Sequence, residues 1–309
     1  MGSDATGAQR RASEILRAVN EFYEANPFPG FDPAKYRTRE DLVRQASWYG
    51  RKLDAEIAYT ARIVDVGCGT GQLACLLGLK GRQVLGVDYS RHSLEHARRL
   101  RDRFELSNVS LNRADLLRIP LRDASFDIVF CNGVLHHTSD PFGGFQQLVR
   151  VCRPGGYLIV GLYNRYGRLL LQLRRRIVAL QARWDPEARE RALRRQLVRL
   201  EQDSEKQRTW WADQYEHPHE STHTIAEVLG WFDRCGVEYV SSVPRIEWLP
   251  VGTSARLFAS RPRRGIAHNR VGYMLVQLAW IFTLNGAGGY FVLIGRKQGP
   301  PTHPAASTA

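Results

Sequence analysis

The chain has 309 residues, of which 43% are hydrophobic and 24% are charged. This is the composition of an ordinary globular protein, and the length suffices for one large or two small domains. Lysine and arginine number 44 against 31 acidic residues, which gives a net charge of +13. This charge is compatible with binding to nucleic acid, to an anionic membrane surface or to acidic ligands, and also with a solvated arginine-rich exterior, and it excludes none of these.

The cysteines and the apolar segments indicate the cellular compartment in which we expect the protein. No cysteine pair has Cys-x-x-Cys spacing, so we expect small buried thiols in a reducing environment at Cys68, Cys75, Cys131, Cys152 and Cys235. The segment from Met1 to Arg10 lacks the apolar core of a signal peptide, which predicts a cytoplasmic protein. The longest apolar run, Val271 to Leu284, is interrupted by Gln277 and is too short to span a bilayer.

The N-terminal extension and the region after it differ in pattern. An aromatic and proline cluster runs from Phe22 to Phe31 in the extension. From Arg62 to Val160, short apolar runs alternate with helical patterns, and the runs predict buried strands at Ile63–Val66, Val84–Val87, Ile128–Phe130 and Tyr157–Val160. The helical patterns cover Gln72–Leu79, Ser90–Arg103 and a segment that starts at Asp140. Such alternation implies a parallel sheet with right-handed crossovers.

The second half of the chain begins with an arginine-rich insertion. It extends from Tyr166 to Gln207, and Asp185-Pro186-Glu187 divides it into two predicted helices. Thr224 opens a further helix with a capping-box pattern, and strands are predicted at Val237–Val243 and Tyr290–Ile294. The tail from Gln298 has the composition of a disordered segment.

The most informative stretch is Val64-Asp65-Val66-Gly67-Cys68-Gly69-Thr70-Gly71. A buried strand runs into three alternating glycines, and a helix follows. Glycines let the backbone approach a ligand closely, and the helix N-terminus offers free N–H groups to an anion such as a carboxylate. A dinucleotide fingerprint requires a third small residue where this chain has Gln72, so that pattern fails. Asp88 ends the next strand, where a carboxylate can accept both hydrogens of a ribose diol.

The glycine pattern resembles the first motif of class I S-adenosylmethionine (SAM)-dependent methyltransferases. Phe126 to His137 resembles the fourth strand and following loop of the ubiquinone/menaquinone-type enzymes, the methyltransferase type 11 group, and Val149 to Val160 resembles their fifth-strand entry. Asn26 to Gly30, Gly161 to Arg168 and Asp213 to Phe232 resemble a bacterial group within this class. The resemblance implies an α/β fold with a Rossmann-like seven-stranded sheet of order 3-2-1-4-5-7-6, an N-terminal extension and inserted helices.

This resemblance also implies a domain plan and a cofactor, SAM. We expect an N-terminal helical extension (1–61), a SAM-binding core (62–161), an inserted helical or lid region (162–223), the C-terminal part of the fold (224–298) and a disordered tail (299–309). Asp65 is expected either at the methionine end of SAM or as a cap of the loop, and Asp115 at the adenine amino group. The full set of expected cofactor-binding residues is Asp65, Gly67, Cys68, Gly69, Gly71, Asp88, Tyr89, Asp115, Leu116 and Asn132.

Histidines supply the candidates for acid–base chemistry. His136 and His137 follow the fourth strand, and imidazole titrates near working pH, so each is either a general base or a hydrogen-bonding structural residue. His219 lies in a His- and acid-rich stretch, Asp213 to His223, that no zinc spacing fits well, and we expect no metal there. That stretch is either a lid over the substrate or a capped loop. The candidate substrate contacts are Tyr163, Asn164, Tyr215 and His217.

The leading hypothesis is a methyltransferase for a small-molecule or lipid-like acceptor. The inserted helices and the aromatic extension suit an apolar acceptor pocket, and arginine-rich helices suit peripheral contact with an anionic membrane. An RNA (tRNA) methyltransferase is the first alternative, because the positive charge suits phosphates, although no separate RNA-binding motif is visible. A non-catalytic subunit with a SAM fold, which activates a partner, is the second. The sequence does not identify the acceptor atom.

Overall fold

The fold is that of a computed structural model, which describes residues 2–30, 35–184, 204–246, 256–259, 269–284 and 288–299. The helix start expected at Asp185, the second helix of the insertion and the tail from 300 lie outside the described residues. Within the described residues, no helix combines the length and the hydropathy that crossing a membrane requires. The five cysteines form no disulfide, and all except Cys235 are buried.

A seven-stranded sheet organises the described part of the chain. Its order is β3-β2-β1-β4-β5-β7-β6, and β7 runs antiparallel to β5 and to β6 while the remaining pairs are parallel. This confirms the expected fold class. The strands are β1 (Arg62–Val66), β2 (Gln83–Asp88), β3 (Val109–Arg113), β4 (Phe126–Asn132), β5 (Cys152–Tyr163), β6 (Val237–Val243) and β7 (Tyr290–Lys297).

Helices cover both faces of the sheet. The described helices are α1 (Gly2–Ala25), α2 (Arg39–Gln45), α3 (Trp48–Glu56), α4 (Gln72–Gly78), α5 (Arg91–Arg103), α6 (Pro141–Val151), α7 (Leu169–Trp184), α8 (Ser204–Tyr215), α9 (Ile225–Arg234) and α10 (Arg270–Thr283). Neighbouring strand residues point to opposite faces. Val64 and Val129 therefore join a core with α6, α9 and α10, whereas Ile63 and Phe130 join a core with α3, α4 and α5. Because both faces are covered, the central strands β1 and β4 are buried along most of their length, whereas the edge strand β3 alternates between buried and exposed residues.

Hydrogen bonds hold the N-terminal extension over the carboxyl edge of the sheet. The carboxylate of Glu24, at the end of α1, accepts hydrogen bonds from the backbone N–H groups of Arg91 (2.6 Å) and His92 (3.2 Å). These are orphan donors at the start of α5, where the helix dipole also favours a negative charge. The carbonyl of Phe28 accepts the N–H of Thr70 at 3.2 Å, and that of Pro29 accepts its hydroxyl at 2.8 Å. The extension thus lies across the glycine turn that follows β1.

Candidate active site

The turn between β1 and α4 requires glycine for two reasons. Gly67 and Gly69 adopt φ angles of +77° and +53°, in the left-handed region that residues with a Cβ rarely occupy. A Cβ on Gly69 would overlap the carbonyl oxygen of Phe28, and one on Gly67 would overlap the side chain of Val134. The turn, packed against Phe28 and Val134, lies in the wall of a cavity of about 950 Å³. Gly71 starts α4 and does not line that cavity, since its Cα faces Ala97.

Asp88 is held in place by two backbone donors. Its Oδ2 accepts the N–H of Gly69 and its Oδ1 accepts the N–H of Ser90, each at 2.8 Å. Burial raises the pKa of this carboxyl above its ordinary value, and these hydrogen bonds oppose that shift. Each oxygen keeps a lone pair for a further donor. Asp88 therefore presents an oriented acceptor to the cavity that it lines.

Asp65 is the more deeply buried carboxyl of this wall. Its residue is 3% exposed, and burial, together with the negative charge of Asp88, raises its pKa to about 7. A carboxyl in this condition gains most from a positively charged ligand, because the cation replaces the lost hydration of the ionised form. Asp65 also lines the cavity.

The remaining expected cofactor residues surround the same space. The Oδ1 of Asp115 accepts the N–H of Leu117 at 2.9 Å, which fixes the side chain at the start of a 3-10 turn, Leu116–Arg118. The Oδ1 of Asn132, at the end of β4, is buried and has no hydrogen-bond partner among the described residues. An orphaned buried acceptor indicates a missing donor. Of the ten cofactor residues expected from the sequence, those that line the cavity are Asp65, Gly67, Cys68, Gly69, Asp88, Tyr89, Asp115, Leu116 and Asn132.

A polar cluster centred on Asp213 forms the opposite side of the cavity. The hydroxyl of Tyr23 donates to Oδ1 of Asp213 at 2.9 Å, and the hydroxyl of Tyr163 donates to Oδ2 at 2.7 Å. The side-chain amide of Gln214 donates to Oδ2 at 2.9 Å and to the Tyr163 hydroxyl at 2.8 Å. These four residues come from α1, β5 and α8, and all of them line the cavity.

His137 adds an imidazole to this cluster. Its Nδ1 donates to the backbone carbonyl of His219 at 2.9 Å, so in the neutral ring Nε2 carries the lone pair. That Nε2 atom lies 3.8 Å from Oδ1 of Asp213. Burial lowers the pKa of His137 to about 3, which keeps the ring neutral. His137 lines the cavity.

His217 stacks on His137 behind the cavity wall. The two ring centroids are 3.6 Å apart, and one nitrogen of each ring lies within 4.8 Å of a carboxylate oxygen of Asp213. This spacing is compatible with a metal ion. The N–H of His219, however, donates to Nδ1 of His217 at 3.2 Å, which leaves the hydrogen of the neutral ring on Nε2. That Nε2 is buried without a partner among the described residues.

The other sequence candidates lie outside the cavity lining. His136 is fully buried with its ring centroid 4.0 Å from that of Tyr163, and burial lowers its pKa well below the ordinary value. Asn164 is fully buried and donates to Oε1 of Gln277 at 2.9 Å. Tyr215 stacks on Trp211, and His219 Nε2 lies 3.2 Å from the carbonyl of Thr138.

Sequence reasoning did not single out Tyr23 as a polar contact, or Asp213 and Gln214. It also missed Arg168, whose fully buried guanidinium pairs with Glu220, donates to Gln214 and lies 3.5 Å from the Tyr163 ring centroid. Glu220 belongs to the stretch whose density of acids and histidines was noted, so that stretch was the available signal. The residues of α1 and β5 that contact this part of the chain are brought to it by tertiary packing.

Comparison with known proteins adds an independent line of evidence. Residues 64–160 match the family model described as a methyltransferase domain. The chain is 35% identical over 159 residues to the methyltransferase GfsG of Streptomyces halstedii, covering 48% of this chain and 54% of that protein. It is 34% identical over 137 residues to a probable S-adenosylmethionine-dependent methyltransferase of Mycobacterium tuberculosis, covering 42% and 47%. The chain thus matches these curated relatives over about half of their length.

Among solved structures, PKMT2 from Rickettsia typhi in complex with AdoHcy has a similar fold. The TM-score is 0.55 at 15% sequence identity, and the match covers 79% of this chain and 50% of that one. At this identity the likeness concerns the fold.

Proposed function

Because the chain belongs to the class I SAM-dependent methyltransferases, we propose that it transfers a methyl group from SAM to a hydroxyl group of a small-molecule or lipid-like acceptor. One observation carries the proposal. A single cavity has the glycine turn and Asp88 on one side and the Asp213 cluster with His137 on the other. A cofactor and an acceptor can therefore meet inside it.

The residues present fit SAM as the cofactor. The turn at Gly67 and Gly69 presents backbone to the cavity, and Asp88 keeps acceptor lone pairs for a ribose diol. Asn132 Oδ1 is an orphaned acceptor, and Asp65 is a carboxyl that a cation would stabilise in its ionised form. The sulfonium and ammonium groups of SAM are such cations. We assign Asp115, in the same wall, to the adenine end.

When bound, SAM supplies a methyl group on a sulfonium, which departs as a neutral thioether and needs no acid. The protein's own residues then have two tasks. They hold the acceptor oxygen in line with the methyl carbon, and they take up its proton. We assign that proton to Nε2 of His137, whose pKa burial lowers to about 3, so the transfer depends on the Asp213 carboxylate 3.8 Å away to stabilise the imidazolium.

A hydroxyl suits this site better than a metal ion does. A metal ligand needs a free nitrogen lone pair, whereas the N–H of His219 occupies Nδ1 of His217 and leaves a hydrogen on its other nitrogen. Nε2 of His137 and Oδ1 of Asp213, in contrast, lie 3.8 Å apart and can both accept a hydrogen bond. A hydroxyl of the methyl acceptor is a donor that suits them.

The shape of the cavity supports a small and largely apolar acceptor. A volume of about 950 Å³ lies at the upper end of the range of about 300–1,000 Å³ for small-molecule sites, which leaves room for an acceptor beside the cofactor. Away from the polar cluster, the apolar part of the lining comes from α1, α2 and α4 and includes Ile15, Leu16, Val19, Leu42, Leu73 and Leu76. Because Phe28 and Pro29 of the N-terminal extension lie across the turn, a polynucleotide would have to displace them to reach the methyl group.

The acceptor can be found with isotope-labelled methyl-SAM. The purified protein is incubated with small-molecule and lipid extracts of the source cell, prepared with and without the gene, and with its total RNA. The proposal expects label in an organic-soluble product bearing a methyl ether, and the unmethylated form should accumulate in cells that lack the gene. Label that enters only the RNA, or no transfer at all, would contradict it. The matched control is His137→Phe, which keeps a ring but removes the proton acceptor.

A further inference from the structure

Exposed hydrophobic side chains are concentrated on two helices that take no part in the cavity. Twelve large hydrophobic residues of the described chain are exposed, and nine of them lie on α7 or α10. Exposed apolar side chains concentrated on one face of a helix indicate a candidate interaction site.

Helix α7 carries four of these residues, Leu169, Leu173, Ile177 and Leu180. Their spacing of four, four and three residues places them on one face of the helix. Leu171, on another face, is buried, and Arg175 pairs with Glu220 at 3.0 Å, so α7 is attached to the protein by the side opposite to its exposed stripe.

Helix α10 carries the other five, Val271, Met274, Leu275, Leu278 and Phe282, again at helical spacing. Its opposite face is fixed by buried residues. Oε1 of Gln277 accepts hydrogen bonds from Asn164 Nδ2 at 2.9 Å and from the N–H of Ile225 at 3.0 Å. Phe282 is 76% exposed, the largest value among these side chains.

The start of α7 and the end of α10 lie close together at the carboxyl edge of β5. Tyr163 ends β5 and pairs with Tyr290 of β7, while α7 starts shortly after the one and α10 ends shortly before the other. A Cβ on Gly167, just before α7, would lie 3.5 Å from Cβ of Leu284, just after α10. Tyr163 and Tyr290 both line the cavity, so the exposed helices lie at the same end of the sheet as the candidate active site.

The charges beside the exposed apolar side chains of α7 and α10 indicate which kind of partner this surface fits. Neither Leu169–Trp184 nor Arg270–Thr283 contains an acidic residue, and Arg174, Arg176 and Arg270 are exposed. A second copy of this face would bring arginines against arginines. The surface of an anionic bilayer instead receives apolar side chains at the acyl boundary and guanidinium groups at the phosphates.

We propose that α7 and α10 form a docking surface for an anionic lipid membrane, on which the protein rests peripherally. The exposed apolar side chains of α7 and α10 enter the interfacial region of the membrane, and Arg174, Arg176 and Arg270 contact lipid phosphates. The sequence had indicated membrane contact only through the arginine-rich insertion, and α10 extends that surface. The proposal is independent of the methyl acceptor, because it rests on surface residues that the transfer chemistry does not use.

Co-sedimentation with vesicles tests this proposal with the full-length protein. Vesicles of phosphatidylcholine, with and without phosphatidylglycerol, are compared at low and high salt. We expect binding to the anionic vesicles alone, weakened by salt. Leu173→Glu/Ile177→Glu and Leu275→Glu/Leu278→Glu should each weaken it by about tenfold or more, and so should Arg174→Glu/Arg176→Glu. Val43→Glu, at an exposed apolar site on α2, should bind like the wild type.

Unchanged SAM binding and circular dichroism establish that these variants are folded. Absence of wild-type binding to anionic vesicles would overturn the proposal, as would equal binding by the stripe variants. A concentration-dependent dimer in light scattering that the same glutamates dissolve would overturn it too, since the occupant would then be a second copy.

Discussion

Nε2 of His137 lies 3.8 Å from Oδ1 of Asp213, and neither atom carries a hydrogen in the neutral-imidazole, ionised-carboxylate state. Two acceptors thus face each other at the wall of the cavity. The carbonyl of His219 fixes the imidazole by binding its Nδ1–H, and Tyr23 and Tyr163 fix the carboxylate by donating to it. In the proposed function, a hydroxyl of the methyl acceptor donates to these two groups.

The first prediction concerns the coupling of these two residues. His137→Phe and Asp213→Asn should each lower kcat by about 10²–10⁴-fold, because the hydroxyl proton then has no stabilised destination. Their combination should cost little more than the more damaging single change, since both act on one proton transfer. Single-turnover rates with saturating SAM measure this. Fully additive losses, or weakened SAM binding with normal kcat, would show that the residues act separately or only support the fold.

The second prediction is a pH dependence of SAM affinity. Asp65 has a pKa of about 7 in the folded protein, so about half of it is protonated at that pH. A bound cation favours the carboxylate and lowers that pKa, so affinity should rise as pH increases toward 7 and level off above it. Calorimetry in buffers of different ionisation enthalpy should detect a released proton near pH 6.5. Asp65→Asn should abolish that release, and a dependence that survives this change would assign it to another group.

The third prediction separates steric blocking from backbone strain at the glycine turn. Gly69→Ala should eliminate measurable SAM binding, because its Cβ would overlap the Phe28 carbonyl and displace the extension. Gly81→Ala is the matched control, since Gly81 also has a left-handed φ, +80°, but nothing lies within 4 Å of its Cβ position. It should lose some stability and keep SAM affinity. Equal loss of binding in both variants would mean that strain alone accounts for the effect.

The fourth prediction concerns acid stability. Burial lowers the pKa of His136 well below 6.5, so the unfolded chain takes up a proton below that pH while the folded chain does not. Stability should therefore be full above pH 6.5 and fall as pH decreases, by about 1.4 kcal/mol per pH unit for such a histidine. His136→Phe keeps a ring against Tyr163 and should reduce this slope in urea unfolding between pH 7.5 and 5. An unchanged slope would show that His136 is not buried in its neutral form.

The sheet, and the side of the cavity that the glycine turn and Asp88 form, could be predicted from the sequence because their signals are local. Short segments of sequence determine the conformation of strand β1, the glycine turn and Asp88. A parallel sheet then brings the carboxyl ends of its strands to one edge. The polar cluster could not be predicted in this way. Tyr23 reaches Asp213 only because α1 packs beside α5, and Asn164, at a strand end, is buried against Gln277 of α10 rather than facing the cavity. Such contacts depend on tertiary packing, which no local pattern encodes.

The central claim is that the turn after β1, together with Asp88, binds SAM. The most direct measurement is calorimetric titration of SAM into the wild type, Asp88→Ala and Asp102→Ala, the last being an exposed aspartate whose side chain is 65% accessible. The account predicts one site per chain, a loss of about 1–3 kcal/mol in Asp88→Ala from the missing charge-assisted hydrogen bonds, and wild-type affinity in Asp102→Ala. Absence of SAM binding by the wild type, or equal affinity in all three proteins, would contradict it.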